Sequence, residues 1–401
     1  MRTLFVNGKI YSEKDLAFLP GALLVENEKI AAVLHEGDPM PEADRTVDLG
    51  GALVAPGLVD VHTHGRAGYD FNTAGEDGMR VMAHAYAESG VTTLMPTLAS
   101  APFEALCGAA DKITKLSPHS GGARFAGVHL EGRYLNPEKR GAHAIELLAP
   151  LDARELEVLL SHMPVPCHVS AALELDKDGS FASAALRHGA TLGLAHTAAT
   201  SEEAELALAR GATSFTHLFN AMPPLHHRHA GAACVGLVHE DAYAELICDG
   251  LHICPEMVQL AYRCKGMERL VLITDSMEAT GCADGSYHIA GMEVIVRDGK
   301  AITVDGAIAG STLNLLDGVR NLAAFCHISF AQALVCATRN PARMVGIDDK
   351  VGTLEVGKYA DFLVLTEQNE SVSLREVYTG GRRMDNVCAS KTNDREEYAH
   401  E

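Results

Sequence analysis

The chain is short of positive charge. Lys and Arg number 33 against 53 Asp and Glu, a net charge of −20 at pH 7. Such a balance argues against general binding of nucleic acid backbones, which needs basic patches. An anionic ligand must therefore meet local cations. No apolar run approaches the roughly 20 residues of a membrane span. The opening MRTLFVNGKIYSEKDLAFLP lacks the basic start, apolar core and small-residue cleavage site of a secretory leader. A cytoplasmic protein with no membrane contact is expected. The ten cysteines are scattered without a CxxC pair, so reduced thiols are expected rather than a disulfide framework. No GxGxxG follows an early strand, which weakens the case for an open dinucleotide-binding sheet.

What is there is an ordinary globular mix, 47% hydrophobic and 21% charged over 401 residues. That length suits a barrel plus an accessory module. The first 53 residues carry short β-like runs broken by Gly and Asn, and VGTLEVGKYADFLVLT near the other end has the same texture. Residues 1–53 and 350–388 are expected to pair into one small β module. Residues 389–401 read as a polar tail.

Residues 54–349 alternate apolar β-branched runs with Ala-rich helical text such as EDGMRVMAHAYAESG and TSEEAELALARG. The β-like runs are GLVDVHTHG, TTLMPT, ARFAGVHLEG, VPCHVSAALE, TLGLAHT, TSFTHLFN, AELICDGLHI and RLVLITDS. Eight such units predict a (β/α)8 barrel. Ionisable residues gather where these runs end: His62 and His64, Glu131, His196, His217, His252 and Asp275. In a parallel barrel those ends open onto one face. His62 and His64, two apart in a strand, point to the same side and can grip one ion together. Imidazole and carboxylate converging on one point form a ligand set for a divalent metal. Asp275 followed by Ser276 also reads as a helix N-cap, the plainer alternative.

The run PGLVDVHTHG (56–65) resembles the opening of the amidohydrolase superfamily. HLEG (129–132) with NPEKRGAH (136–143), AHTAAT (195–200), THLFNAM (216–222), HHRHAG (226–231), TDSMEATG (274–281), AGSTL (309–313) and NPA (340–342) are similar, in order, to the motifs of its N-acetylglucosamine-6-phosphate deacetylase family. The resemblance runs from Pro56 to Leu365. It implies a barrel with a small β-sandwich built from both termini, and metal-dependent hydrolysis of the N-acetyl group of an amino sugar phosphate. By resemblance, Glu131, His196 and His217 hold the principal metal, and His62 and His64 a second one bridged by Glu131. One or two zinc, iron, manganese or cobalt ions fit such donors. Asp275 is the implied general base and acid, and His143 the implied electrophilic partner. Ala142, Asn220, Ala221, His227, His252, Ile308, Ala309 and Gly310 are implied substrate contacts. Arg228 is the implied phosphate contact, reaching a neighbouring subunit in a homodimer.

The chain departs from the family pattern in three places. Arg133 stands where the family has proline after HLEG, placing Arg133 and Tyr134 beside the metal-binding glutamate. His229-Ala230-Gly231 replaces an acidic residue with Pro-Gly, which makes that loop less rigid. Ala171-Ala172-Leu173-Glu174 replaces an Ala-Pro-Glu run. These changes admit a deacetylase of another N-acetyl hexosamine phosphate or acylated amine. Nucleobase deaminases and D-amino-acid deacylases share the HxH opening but lack the HLEG…GAH and THLFNAM set, and often carry a lysine ending the fourth strand, absent here. A barrel that only binds is disfavoured by the complete set of metal-type residues with Asp275. His129 is expected to support Glu131 from behind, and His168 has no assigned role.

Overall fold

The computed structural model describes residues 1–117, 120–163, 166–304, 306–369 and 371–384. The expected polar tail, 389–401, and the last four residues of the expected β module lie outside the described residues.

The protein is a (β/α)8 barrel with a small β-sandwich built from both termini. The barrel strands are Leu58–Thr63, Val91–Leu98, Val128–Glu131, Cys167–Ala171, Thr191–Leu194, Ala212–Phe215, Tyr243–Ile247 and Leu270–Ile273, all parallel to their neighbours. Nearly every strand residue is buried, as a sheet covered by helices requires. Helices return outside the sheet. Glu76–Glu88 shows the pattern behind this packing: Met79, Met82, Ala83, Tyr86 and Ala87 share its buried face. Ser201–Ala209 starts at a reciprocal Thr200–Glu203 capping box.

The first and eighth strands close the barrel without a regular ladder. The Asp275 N–H donates to the His62 carbonyl at 2.9 Å, and the His64 N–H to the Ser276 carbonyl at 2.8 Å. The Thr274 hydroxyl donates to Asp60 at 2.6 Å. The seam thus falls among the residues of the candidate site, and side-chain bonds finish what backbone pairing leaves open.

At the terminal end, Phe362–Gln368 pairs antiparallel with Leu53–Pro56, joining the C-terminal strands to those of the N-terminus. Arg2–Ser12 links the layers. Its first half pairs with Arg45–Asp48 and its second with Leu53–Val54, and its antiparallel pairing with Ala17–Glu26 shifts register between Phe5 and Gly8. Phe5 packs edge-on against Phe362 and Tyr378 at 5.0 and 5.1 Å, filling the small core.

One element was not expected. Gly285–Ile289, Met292–Arg297 and Lys300–Thr303 form a three-stranded antiparallel sheet between the eighth barrel strand and the helix Leu315–Cys326. Its turns are Ala290-Gly291 and Asp298-Gly299, with both residues of each at positive φ, the geometry of tight hairpins. The insert brings Ile289 to the barrel mouth.

Candidate active site and metal centre

Four imidazoles converge on one carboxylate at the mouth of the barrel. The Nε2 atoms of His62, His64, His196 and His217 lie 3.2, 2.9, 3.3 and 2.9 Å from the Glu131 oxygens. His64 and His62 also approach Asp275 at 3.2 and 3.5 Å. All six side chains are largely buried. Local backbone aims them. His196, His217 and Asp275 each lie two residues beyond a strand end, with φ of 43°, 32° and 49°. Left-handed backbone is unfavourable for non-glycine residues and gathers at functional sites. Here it turns each side chain into the mouth. Bonds from Asn136 N–H to the His196 carbonyl and from Ser311 N–H to the Asp275 carbonyl hold two of these turns.

The donor set fits divalent metal. His62 Nδ1 faces Glu245 at 3.1 Å and His196 Nδ1 faces the Lys139 carbonyl at 2.7 Å, so these nitrogens carry the protons. Their Nε2 lone pairs then point at Glu131, and Nε2 of His62 has no hydrogen-bond partner among the described residues. Lone pairs facing a carboxylate call for a cation between them. Two overlapping groups offer it places: His62, His64, Glu131 and Asp275, and Glu131, His143 and His196, with His217 Nε2 3.2 Å from His196 Nε2. Without an ion, protons supply the positive charge. Burial pushes the His64 imidazole down, but Asp275 and Glu131 outweigh it and raise it to about 9. Burial likewise pushes Asp275 up, while His62 and His64 bring it down to about 2.

His143 plays a different part. Its Nδ1 receives the Ser100 backbone N–H at 3.4 Å and faces the Ser100 hydroxyl at 2.9 Å. Nδ1 is therefore the acceptor and Nε2 carries the proton, which suits a donor aimed at substrate rather than a ligand. Burial, then His196, lower His143 to about 3, keeping it neutral.

A cavity of about 270 Å³ opens above these groups. Of the expected substrate contacts, Ala142, Asn220, Ala221, His252, Ile308 and Gly310 line it, with Ile247 and Ile289 besides. Ala309 is fully buried behind this lining. His252 lies five residues past its strand rather than at the strand end, and Asp249 holds its Nδ1 at 2.7 Å. His227 and Arg228 are not brought to the cavity of their own chain. They lie on an exposed loop, with an Arg228 Nη1 2.7 Å from His227 Nε2. No lysine or arginine lines the cavity among the described residues.

Arg133 corrects an expectation. Its guanidinium turns away from Glu131 and binds Glu155 through two contacts of 2.7 and 3.2 Å, where the Tyr134 hydroxyl also donates at 2.9 Å. Neither residue adds charge to the cavity. The preceding Gly132 has φ 151°, and a Cβ there would fall 2.3 Å from the Ser100 nitrogen. That turn carries Arg133 outward.

Sequence reasoning missed several supports. Glu174 accepts Asn136 Nδ2, the Ala198 N–H and the Thr197 hydroxyl at 2.7–2.9 Å, tying together the two loops around His196. Glu245 backs His62. Its one visible signal is an acidic residue inside an apolar strand. His129, expected to support Glu131 from behind, instead bonds Ser170 and the Val61 carbonyl beneath the cluster at 2.8 and 2.9 Å. His168 belongs to the same polar layer, bonded to Thr191 at 2.8 Å.

Comparison with known proteins agrees with this geometry. The sequence pattern of the amidohydrolase family matches residues 53–384. The chain is 36% identical to N-acetylglucosamine-6-phosphate deacetylase of Vibrio furnissii, over 91% of this chain and 90% of that protein. It is 35% identical to N-acetylgalactosamine-6-phosphate deacetylase of Escherichia coli O157:H7, over 86% and 90%. The crystal structure of N-acetylglucosamine-6-phosphate deacetylase from Pasteurella multocida superposes with a TM-score of 0.88 at 29% identity, covering 96% of this chain and all of that one.

Proposed function

The chain belongs to the amidohydrolase family, and we propose that it hydrolyses the N-acetyl group of an N-acetyl hexosamine 6-phosphate, with N-acetylglucosamine 6-phosphate as the leading substrate. The observation that carries this reading is the convergence of four imidazoles and Asp275 on Glu131 beneath a cavity lined by Asn220, Ala221 and His252. The strand pairing supports a small module built from both ends of the chain beside a catalytic barrel, with residues 54–56, expected in the barrel, paired into the module instead.

His62 and His64 would hold one divalent ion, His196 and His217 another, with Glu131 between them. Zinc, iron, manganese and cobalt all suit these donors. Such ions supply Lewis acidity, polarising the acetamide carbonyl and making water more acidic. The protein groups do the rest. His143 Nε2–H donates to the carbonyl oxygen as negative charge grows there. Asp275 takes a proton as the water oxygen bonds to the carbonyl carbon. It then passes that proton to the amine nitrogen as the carbon–nitrogen bond breaks, because an amide anion is too poor a leaving group. The products are acetate and the free amino sugar phosphate.

The cavity lining holds no lysine or arginine among the described residues, so the phosphate needs a cation from elsewhere. Arg228 is exposed, and its guanidinium fork suits phosphate. We assign it to the phosphate of substrate bound in a neighbouring copy, which makes a homodimer the working unit. The test is acetate release from N-acetylglucosamine 6-phosphate, its galactosamine epimer and the unphosphorylated sugar. Fast release from the first supports the reading. Preference for the epimer moves the substrate, and release of no acetate from any of them removes the proposed reaction.

A further inference from the structure

Glu245 is fully buried in the strand Tyr243–Ile247, among apolar neighbours in sequence. Burying a carboxylate is unfavourable unless its partners repay the lost hydration. Its polar partners are few and specific. One oxygen lies 3.1 Å from His62 Nδ1 and 3.3 Å from the His217 backbone N–H, which donates to it. The other oxygen has no hydrogen-bond partner among the described residues. The Glu245 carbonyl also accepts the Leu218 N–H at 2.8 Å.

We infer that Glu245 is a positioning residue that sets His62 and His217 together toward their ions. Its carboxylate holds the His62 proton on Nδ1 and so directs the Nε2 lone pair at the Glu131–Asp275 pair. Its contacts to the His217 and Leu218 N–H groups brace the left-handed turn at His217, where φ is 32°. One side chain therefore reaches a ligand of each proposed ion. His62 needs this more than its neighbours do. His64 and His217 have no Nδ1 partner among the described residues, so their rings are aimed by backbone and packing. His196 is already fixed by the Lys139 carbonyl.

The inference rests on the metal reading of the cluster, not on the identity of the substrate. It is tested on the full-length chain by stripping ions and titrating back zinc against a chromophoric chelator. Wild type is compared with Glu245→Gln, which keeps the volume but loses the charge, and with Glu245→Asp, which keeps the charge on a shorter stem. The expected result is that Glu245→Gln weakens both zinc steps, the one that uses His62 about 10- to 100-fold and the one that uses His217 by less, with Glu245→Asp weakened less than Glu245→Gln. The ion-free melting temperature should be unchanged in Glu245→Gln. In the zinc-loaded protein labelled with ¹⁵N-histidine, the His62 Nδ1–H signal should shift in Glu245→Gln, because a neutral amide oxygen accepts a weaker bond than a carboxylate. Zinc binding as tight as wild type, with an unaltered His62 signal, would overturn the inference. So would an equal weakening of every zinc step accompanied by a lower ion-free melting temperature, which marks a merely structural role. A wild type that binds no divalent ion overturns this inference and the metal reading together. A wild type that binds zinc yet releases no acetate removes the substrate reading and leaves Glu245 standing.

Discussion

Glu131 and Asp275 sit buried among imidazoles, and His62, His143 and His196 are each fixed from behind by a second group. Arg228 sits exposed, and its recorded polar contacts are to His226 and His227 of its own loop. His226 and His229 stack there at 5.3 Å, again within the loop. The first region is complete within one chain. The second has its chemistry but not its place. A reacting centre needs fixed atoms, because small displacements are expensive in rate. A phosphate contact can be finished by association, since a guanidinium meets its anion through long-range attraction and a flexible stem.

The sharpest way to break this contrast is to disable the buried half without moving it. Asp275→Asn should lower kcat by about 10²- to 10⁴-fold, with metal content and KM little changed. Steady-state kinetics beside metal analysis would show it, and normal turnover in a folded, loaded variant removes Asp275 from proton transfer. Stripping the ions comes next. Ligand linkage gives about 2.7 kcal/mol of stabilisation at a free-ion concentration one hundred times Kd, so chelation should lower Tm and added zinc or manganese restore it. The ion must displace protons, and His64 holds one up to about 9 in the ion-free protein. Ion affinity should therefore fall as pH drops below about 9. A Tm indifferent to chelator and metal would mean that protons alone satisfy the cluster.

The exposed half predicts smaller, more selective effects. Arg228→Ala removes a charged hydrogen-bond partner worth about 1.5–3 kcal/mol, so KM for the phosphorylated sugar should rise about 10- to 150-fold. Turnover of the unphosphorylated sugar should stay as it was. Equal losses on both sugars would place Arg228 in the general architecture instead. The smallest effect tests the loop's own stiffness. Ala230 has φ −64°, already the value proline imposes. Ala230→Pro should stabilise the chain by about 0.4–1 kcal/mol through the unfolded state, read as a modest rise in Tm. A fall in Tm would show that the loop needs the lost freedom or the lost N–H.

Much of this was legible in the residues. Alternating apolar runs and Ala-rich segments indicated eight βα units, and histidines and carboxylates at the ends of those runs marked the open face. Strand periodicity put His62 and His64 on one side, as found. The hairpin turns at Ala290-Gly291 and Asp298-Gly299 are written in the sequence too, but the short strands between them carry no motif that sets them apart from a loop. Arg133 shows the opposite error. A cation two residues from Glu131 in sequence reads as a cation in the site, but the backbone at Gly132 sends it to Glu155.

Fold class and the order of imidazoles and carboxylates along the chain are fixed by the residues alone, because periodicity and strand-end chemistry are local properties. Tertiary structure decided which nitrogen of His62, His143 and His196 faces the centre. Those choices depend on Glu245, Ser100 and Lys139, residues 183, 43 and 57 positions away. A tautomer is set by the partner across space, and no spacing along the chain records that partner.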